Sequence, residues 1–115
     1  MTAQPERASV ILDELLATIA SRAREMPEGS YTTKLLREGV DRIGRKIGEE
    51  AAEVIIAAKN ANPDELAWEV ADLWYHSLVM LAAVGVDPDL VWQQLYNRLQ
   101  WIHGPEGSTA LEAIQ

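Results

Sequence analysis

The chain has no cysteine and no phenylalanine among its 115 residues, and basic residues are scarce. Without cysteine, neither a disulfide framework nor a thiolate metal site can form. Ten Lys and Arg stand against eighteen Asp and Glu, which gives a formal net charge of -8. Because a nucleic-acid-binding surface needs a basic face, this composition argues against nucleic acid as a partner.

Long hydrophobic runs without charged residues are also missing. The most apolar segment, residues 66–84, contains Glu69 and Asp72, which would be costly in a lipid bilayer. Residues 1–8 lack the apolar stretch of a secretory signal and are expected to form a short disordered lead. We therefore expect a cytoplasmic protein without membrane association. The length and the 48% hydrophobic content are typical of one globular domain with a modest core.

The apolar periodicity predicts an all-α fold, because no segment alternates as a strand does. Four main helices are expected at residues 9–24, 40–58, 63–84 and 88–102, with a short helical turn at 32–38. Asn62-Pro63-Asp64-Glu65 is a typical helix start, with an N-cap, a proline in the first turn and a capping-box Glu, and Asp87-Pro88 repeats the signal. The helix at 40–58 has an apolar stripe formed by Val40, Ile43, Ile47, Ala51, Val54 and Ala58.

Two acidic groups lie about twenty residues apart, and each is spaced for one side of a helix. The first comprises Glu49, Glu50 and Glu53, and the second comprises Glu69 and Asp72. If these sides face each other, four or five carboxylates converge. At an effective dielectric of ~20, two carboxylates ~6 Å apart repel by roughly 3 kcal/mol. A hard divalent ion relieves this repulsion, so the pattern predicts a Mg²⁺ site, with Mn²⁺ as a substitute.

The helix predicted at 63–84 is apolar nearly all round, which is typical of a helix buried on most sides. Its polar interruptions fall on one stripe, formed by Glu65, Glu69, Asp72 and His76. No Lys or Arg lies between Asn60 and Asn97, so a metal ion is the available partner for buried carboxylates. A four-helix monomer cannot cover the remaining apolar surface, and we expect a homodimer or a higher homo-oligomer.

Each pattern also has a purely structural explanation. The acids of residues 49–53, taken alone, are typical of a solvated helix face on which Lys46 pairs with a neighbouring acid. His76 suits a hydrogen-bonded core position better than a metal ligand. The hydroxyls of residues 30–33 would cap a short helix as readily as they would contact phosphate or ribose. A di-iron site is excluded because it needs Glu-x-x-His motifs on two helices, and the sequence lacks them.

Several segments taken together resemble a known family. Gly48–Glu53 followed by Glu69–Asp72 is similar to the E-E-x-x-E…E-x-x-D signature of the all-α, MazG-like nucleotide pyrophosphohydrolases. More narrowly, the chain from about Leu12 to Arg98 resembles the phosphoribosyl-ATP pyrophosphatase family of histidine biosynthesis. The segments that carry this resemblance are Ser30–Thr32, Lys46–Glu53, Ala57–Lys59 and Ala71–His76.

The resemblance implies a MazG-like helical bundle of four main helices over residues 9–103, completed by homodimerisation, with residues 104–115 as a tail. It implies Mg²⁺-dependent hydrolysis of phosphoribosyl-ATP to phosphoribosyl-AMP and pyrophosphate. The implied metal ligands are Glu50, Glu53, Glu69 and Asp72. The implied catalytic residues are Glu49, Glu50 and Glu53, where Glu49 either binds a further ion or orients the attacking water. The implied substrate-binding residues are Lys46, Lys59, Ser30, Tyr31, Thr32 and His76.

Two other functions remain open at this point. A house-cleaning pyrophosphatase for unwanted nucleoside triphosphates would use the same acids with a different base pocket. A non-catalytic helical dimerisation module would leave the acids solvated and would show no dependence on metal ions. The acidic to neutral tail and the bulky Trp74 also depart from the pattern of the family.

Overall fold

The computed structural model describes residues 8–104, and every regular element in this range is a helix. The helices are α1 (Ala8–Glu25), α2 (Tyr31–Glu38), α3 (Val40–Lys59), α4 (Pro63–Val84) and α5 (Asp89–His103). The all-α prediction is confirmed, and the predicted helices agree with the observed ones to within one or two residues. Apart from Ala8 and Gly104, the predicted lead at 1–8 and tail at 104–115 lie outside the described residues.

The chain divides after Gly85 into two compact units, the first containing α1 to α4 and the second containing α5. In the first unit, α3 and α4 share the most extensive interface, and both α1 and α2 also pack on α4. In the second unit, no residue of α5 is buried. Within residues 8–104, no helix is long and apolar enough to cross a membrane.

Local sequence signals determine where α2 begins and ends. The Ser30 side chain caps α2 by accepting a hydrogen bond from the Thr33 backbone N–H at 3.2 Å. Gly39 then separates α2 from α3 with a φ of +89°, a conformation that residues with a Cβ rarely adopt. These two signals place the short helix α2 against α3 and α4.

The predicted start of α4 is confirmed. Asn62 Oδ1 accepts a hydrogen bond from the Glu65 backbone N–H at 3.1 Å, and proline occupies the first turn. The start of α5 differs from the prediction, because Asp87 does not cap the helix directly. Its Oδ1 accepts from the Asp89 backbone N–H at 2.9 Å, and Pro88 itself takes the N-cap position. The helix therefore begins at Asp89.

The apolar core of the first unit is small. Its buried apolar residues are Ile19, Leu35, Ile43, Ala57, Leu78 and Val79. The predicted stripe of α3 is correct in its centre but wrong at both ends, because Val40 and Ala58 are exposed and Ala57 is buried instead. Ala57 is covered because the following connection folds back on it, with the Asn62 backbone N–H donating to the Ala57 carbonyl oxygen at 3.1 Å.

Helix α4 turns its polar stripe, rather than its bulkiest apolar residues, toward the protein interior. Glu69, His76, Leu78 and Val79 are its buried residues. Trp68 and Trp74 keep 67% and 59% of their surface exposed. Part of the apolar surface of α4 is therefore exposed, and the predicted homo-oligomer stays a prediction. The buried polar stripe is the feature that positions the candidate site.

We expect Asn62→Ala to lower the stability of the first unit by about 1 kcal/mol, because the substitution removes an N-cap hydrogen bond. For a domain of this size the loss corresponds to a decrease of roughly 4–8 °C in melting temperature. Thermal unfolding followed by circular dichroism measures it. Asn60→Ala serves as the control, because Asn60 is exposed and takes part in the C-cap of α3 through its backbone. Equal losses in the two variants would contradict the capping role.

Candidate functional site

The packing of α3 on α4 places the predicted acids along one interface. Glu50 of α3 and Glu69 of α4 are buried, with 4% and 6% of their surface exposed. Asp72 is partly buried, and Glu53 is exposed. Besides burial, the charge of Asp72 raises the pKa of Glu50, and the charge of Glu53 is among the causes that raise the pKa of Glu69. Glu50 of α3 therefore lies near Asp72 of α4, and Glu53 of α3 lies near Glu69 of α4. The convergence of four or five carboxylates stays a prediction.

Glu69 has an unfavourable electrostatic environment. Its Oε1 atom is buried and has no hydrogen-bond partner within the described residues. Burial, followed by the proximity of the Glu53 and Glu65 carboxyl groups, raises the pKa of the Glu69 carboxyl to about 7. A nearby cation would lower this pKa instead. Glu65 was not among the predicted site residues, although its position four residues before Glu69 on the same stripe was available as a signal.

Glu50 differs from Glu69 because it has a hydrogen-bond partner. His76 Nδ1 lies 2.7 Å from Glu50 Oε1 and 2.9 Å from the Asp72 carbonyl oxygen. Since the carboxylate and the carbonyl are both acceptors, Nδ1 carries the hydrogen and donates to them. Burial nevertheless raises the pKa of Glu50 above its ordinary value, because it outweighs the lowering effect of His76, and the charge of Asp72 also raises it.

His76 connects α4 to both α2 and α3. The residue is 3% exposed, and its Nε2 atom accepts a hydrogen bond from the Tyr31 hydroxyl at 3.0 Å. Its ring makes edge contacts with the rings of Tyr31 and Tyr75, at centroid distances of 5.9 and 5.0 Å. The interpretation of His76 as a hydrogen-bonded core residue is confirmed. Its predicted contact with a substrate stays a prediction.

Thr32 and Tyr75 form a second link between α2 and α4 through a hydrogen bond between their hydroxyls. No role was predicted for Tyr75, although it lies in the segment Ala71–His76 that carries the family resemblance. Its contact with Thr32 could not be predicted, because the two residues are 43 positions apart. The neighbouring Thr33 hydroxyl is buried and has no partner within the described residues. The capping interpretation of this segment is confirmed for Ser30 alone, because the hydroxyls of Tyr31 and Thr32 bond to side chains of α4 instead. The substrate contacts predicted for residues 30–32 stay predictions.

The two lysines predicted to bind the substrate lie on opposite sides of the acids along α3. Lys46 Nζ lies 3.7 Å from Glu49 Oε1, so the predicted pairing with a neighbouring acid is found. Lys59 is the exposed last residue of α3. At 1.5 Å per residue, the two positions are about 20 Å apart along the helix axis. The lysines of one chain would therefore serve different parts of an extended ligand.

A surface depression of about 450 Å³ lies beside α2. Its lining residues are Glu28, Gly29, Ser30, Tyr31, Thr33, Lys34, Arg37 and Glu38. The depression includes two of the predicted substrate-binding residues, Ser30 and Tyr31, but none of the acids of α3 and α4 lines it. It is therefore distinct from the acidic interface, and Tyr31 contacts both regions.

The donor set between α3 and α4 suits a hard divalent cation. Glu69 offers a buried carboxylate oxygen without a hydrogen-bond partner. The neighbouring side chains that could also bind a metal ion, Glu53 and Glu65, are carboxylates as well. Within residues 8–104, however, no three acidic or histidine side chains already converge on a common point for a metal ion. The acids act on one another in two separate sets, Glu69 with Glu53 and Glu65, and Glu50 with Asp72. The complete predicted ligand set stays a prediction.

We expect the metal-free protein to become more stable as the pH falls from about 7 toward 4.5. Folded Glu69 takes up its proton near pH 7, whereas the unfolded chain takes it up near the ordinary pKa of 4.5. Between these values the folded state binds more protons, so the free energy of unfolding rises as the pH decreases. The raised pKa of Glu50 acts in the same direction. Thermal melting in EDTA across this pH range measures the effect.

Glu69→Gln should weaken this pH dependence, because it removes the titrating group and keeps the shape of the side chain. Glu14→Gln is the matched control, since it makes the same substitution at an exposed position of α1. If the melting temperature of Glu69→Gln changes with pH as steeply as that of the unmodified chain, another group is responsible for the effect.

Comparisons with known proteins cover the part of the chain that forms this site. The model of the phosphoribosyl-ATP pyrophosphohydrolase family matches residues 12–98. A histidine biosynthesis bifunctional protein of Bacillus subtilis is 57% identical over 88 residues, which are 76% of this chain and 42% of that protein. A phosphoribosyl-ATP pyrophosphatase of Trichlorobacter lovleyi is 52% identical over 88 residues, which cover 82% of it.

A phosphoribosyl-ATP pyrophosphatase of Metallosphaera sedula is 46% identical over 90 residues, which are 78% of this chain and 97% of that protein. The chain thus spans less than half of the bifunctional relative but most of the two single-function ones. The matched region contains α2, α3 and α4 in full, and with them every acid of the candidate site. On these grounds, the chain belongs to the phosphoribosyl-ATP pyrophosphohydrolase family.

Proposed function

We propose that this protein hydrolyses phosphoribosyl-ATP to phosphoribosyl-AMP and pyrophosphate, an early step of L-histidine biosynthesis, and that the reaction requires Mg²⁺. Family membership supports the reaction and the substrate. A cytoplasmic location is proposed on the same basis. The structural observation that carries the metal requirement is Glu69, a buried acid with an unpartnered oxygen beside two further carboxylates.

Glu50, Glu53, Glu69 and Asp72 would hold the ion. Bound there, Mg²⁺ supplies positive charge that offsets the negative charge developing on the departing pyrophosphate. Water would add to the α phosphorus. The bond between this phosphorus and the oxygen that bridges it to the β phosphate would break, and pyrophosphate would leave. Glu49 is exposed on the flank of α3, where it can orient this water or bind a further ion.

The two lysines of α3 would bind the phosphates. Lys46 lies one turn before Glu50, close to the acids, and Lys59 lies at the far end of the helix. This arrangement suits a long, multiply charged substrate better than a single phosphate group. Binding such a substrate to a chain with a net charge of -8 requires local positive charge, which the lysines and the ion would supply.

We expect turnover of phosphoribosyl-ATP in the presence of Mg²⁺ and its loss in EDTA. Glu53→Gln and Asp72→Asn should each abolish turnover and leave the helical circular dichroism spectrum intact, because each removes a metal ligand without changing side-chain size. Asp13→Asn, at an exposed position of α1, is the control and should retain full activity. Pyrophosphate release measured against a panel of canonical and modified nucleoside triphosphates tests the substrate.

Faster hydrolysis of another triphosphate than of phosphoribosyl-ATP would identify a house-cleaning enzyme instead. A protein that is inactive on every substrate, with identical melting curves in EDTA and Mg²⁺, would be a non-catalytic helical module. A ligand at a hundredfold excess over its Kd stabilises the folded state by about 2.7 kcal/mol. Binding of the ion therefore produces a clear increase in melting temperature even without substrate.

The apolar surface of α3 and α4 supports a homodimer or a higher homo-oligomer as the active assembly. Ile55 and Ile56 of α3 are each 56% exposed, and the exposed fractions of Trp68 and Trp74 of α4 are larger, at 67% and 59%. Exposed apolar residues of this size on two packed helices are typical of a protein–protein interface. A dimer built on these helices would place the acids beside the interface between subunits.

Light scattering at micromolar concentration should report about twice the 12.8 kDa chain mass, or a higher multiple. Trp68→Glu should shift the mass toward that of one chain, because a carboxylate is costly to bury in an apolar interface. Ile11→Glu places the same charge at an exposed apolar position of α1 and should leave the assembly unchanged. A fully active single chain would rule out the proposed assembly.

A further inference from the structure

A chain of hydrogen bonds runs from Tyr31 through His76 to Glu50, and it suggests a role for the first two residues other than the implied substrate contact. It begins at a half-exposed tyrosine on α2, crosses a buried imidazole on α4 and ends on a buried carboxylate of α3. We propose that Tyr31 and His76 are positioning residues that hold Glu50 in the orientation needed to bind the divalent ion. The inference rests on the proposed function of the acid cluster.

The hydrogen-bonding capacity of His76 supports this role. Nδ1–H donates to Glu50 Oε1 and the Asp72 carbonyl oxygen, at 2.7 and 2.9 Å. Nε2 accepts from the Tyr31 hydroxyl at 3.0 Å. No ring nitrogen is left for a substrate or a metal ion, and the residue is 3% exposed. His76 therefore acts through its neighbours, and both residues that it reaches by Nδ1–H are proposed metal ligands.

Tyr31 controls the orientation of the imidazole. A neutral imidazole has one donor nitrogen and one acceptor nitrogen, so a hydroxyl donor at Nε2 selects the form that carries its hydrogen on Nδ1. That form is the one that can donate to Glu50. The rings of Tyr31 and Tyr75 contact the imidazole edge-on at interplanar angles of 89° and 70°, and they restrict its rotation.

The position of Tyr31 depends in turn on the start of α2. Tyr31 is the first residue of that helix, and the adjoining Ser30 forms its N-cap. The hydrogen bond between Thr32 and Tyr75 is a separate link between α2 and α4 that does not include His76. Through Tyr31, a short helix far from the acids in sequence is connected to the orientation of one acid. Hydrogen-bonding partners behind metal ligands commonly contribute 10- to 100-fold to metal affinity.

Tyr31→Phe and Tyr75→Phe form a matched pair that tests the proposal. Each removes one hydroxyl and one hydrogen bond between α2 and α4, but only Tyr31 is connected to Glu50. Binding of Mn²⁺ is measured without substrate by electron paramagnetic resonance. The Mg²⁺ concentration at half-maximal turnover, and KM and kcat at saturating Mg²⁺, are measured in parallel.

We expect Tyr31→Phe to weaken Mn²⁺ binding, and to raise the half-maximal Mg²⁺ concentration, by about 10-fold. Its KM for phosphoribosyl-ATP at saturating Mg²⁺ should stay within about twofold of the value for the unmodified protein. In Tyr75→Phe, the affinity for Mn²⁺ should also stay within about twofold of the value for the unmodified protein. Equal losses of metal affinity in both variants would assign Tyr31 a purely structural role and overturn the proposal. A higher KM with unchanged metal affinity would show substrate contact and overturn it as well.

His76→Asn provides a second test. Its amide nitrogen lies near the position of Nδ1 and can still donate to Glu50, but no atom replaces Nε2 as the partner of Tyr31. The variant should therefore lose about as much metal affinity as Tyr31→Phe, and combining the two substitutions should add no further loss. Additive losses in the double variant would mean that Tyr31 acts independently of His76, which the proposal excludes.

Failure of this inference can be distinguished from failure of the proposed function. If the unmodified protein neither binds Mn²⁺ nor hydrolyses phosphoribosyl-ATP, the proposed function is wrong, and the positioning role falls with it. If the unmodified protein does both and Tyr31→Phe is indistinguishable from it, the positioning role alone is wrong.

Discussion

The burial of two carboxylates between α3 and α4 is the constraint on which the rest of this structure depends. A buried charge without compensation is costly, and the two acids are compensated to different extents. Glu50 accepts a hydrogen bond from His76, whereas one oxygen of Glu69 has no partner within the described residues. The helix pair therefore holds acids in a place where an apolar pair would be more stable, and this arrangement is typical of a functional site.

The short helix α2 contributes little to the apolar core but much to the polar network. At eight residues it is too short to be stable in isolation. The cap at Ser30, the bond from Tyr31 to His76 and the link between Thr32 and Tyr75 hold it in place. One of these contacts, the bond from Tyr31 to His76, also reaches the hydrogen-bond partner of Glu50. Stability and the geometry of the site are coupled through this one turn of helix.

Much of the fold and part of the site could be predicted from the sequence. The apolar periodicity, the Asn62 cap and the spacing of the acids depend on neighbours within a few residues, and the structure agrees with each of them. The ends of the α3 stripe could not be predicted, because the exposure of Val40 and Ala58 depends on how the adjoining connections fold. The side chains that hydrogen-bond with His76 and Tyr75 lie 26 to 45 residues away, beyond the reach of any periodic pattern.

The sequence by itself determined that the chain is helical, where its helices begin, and that two acidic groups lie on helix faces. These properties follow from local backbone preferences and from the 3.6-residue repeat of the helix. Only the tertiary structure decided that buried Glu50 has a hydrogen-bond partner and that one oxygen of buried Glu69 has none within the described residues. That difference arises because burial and hydrogen-bond partners depend on the packing of α2 and α3 against α4, where residues distant in the chain come into contact.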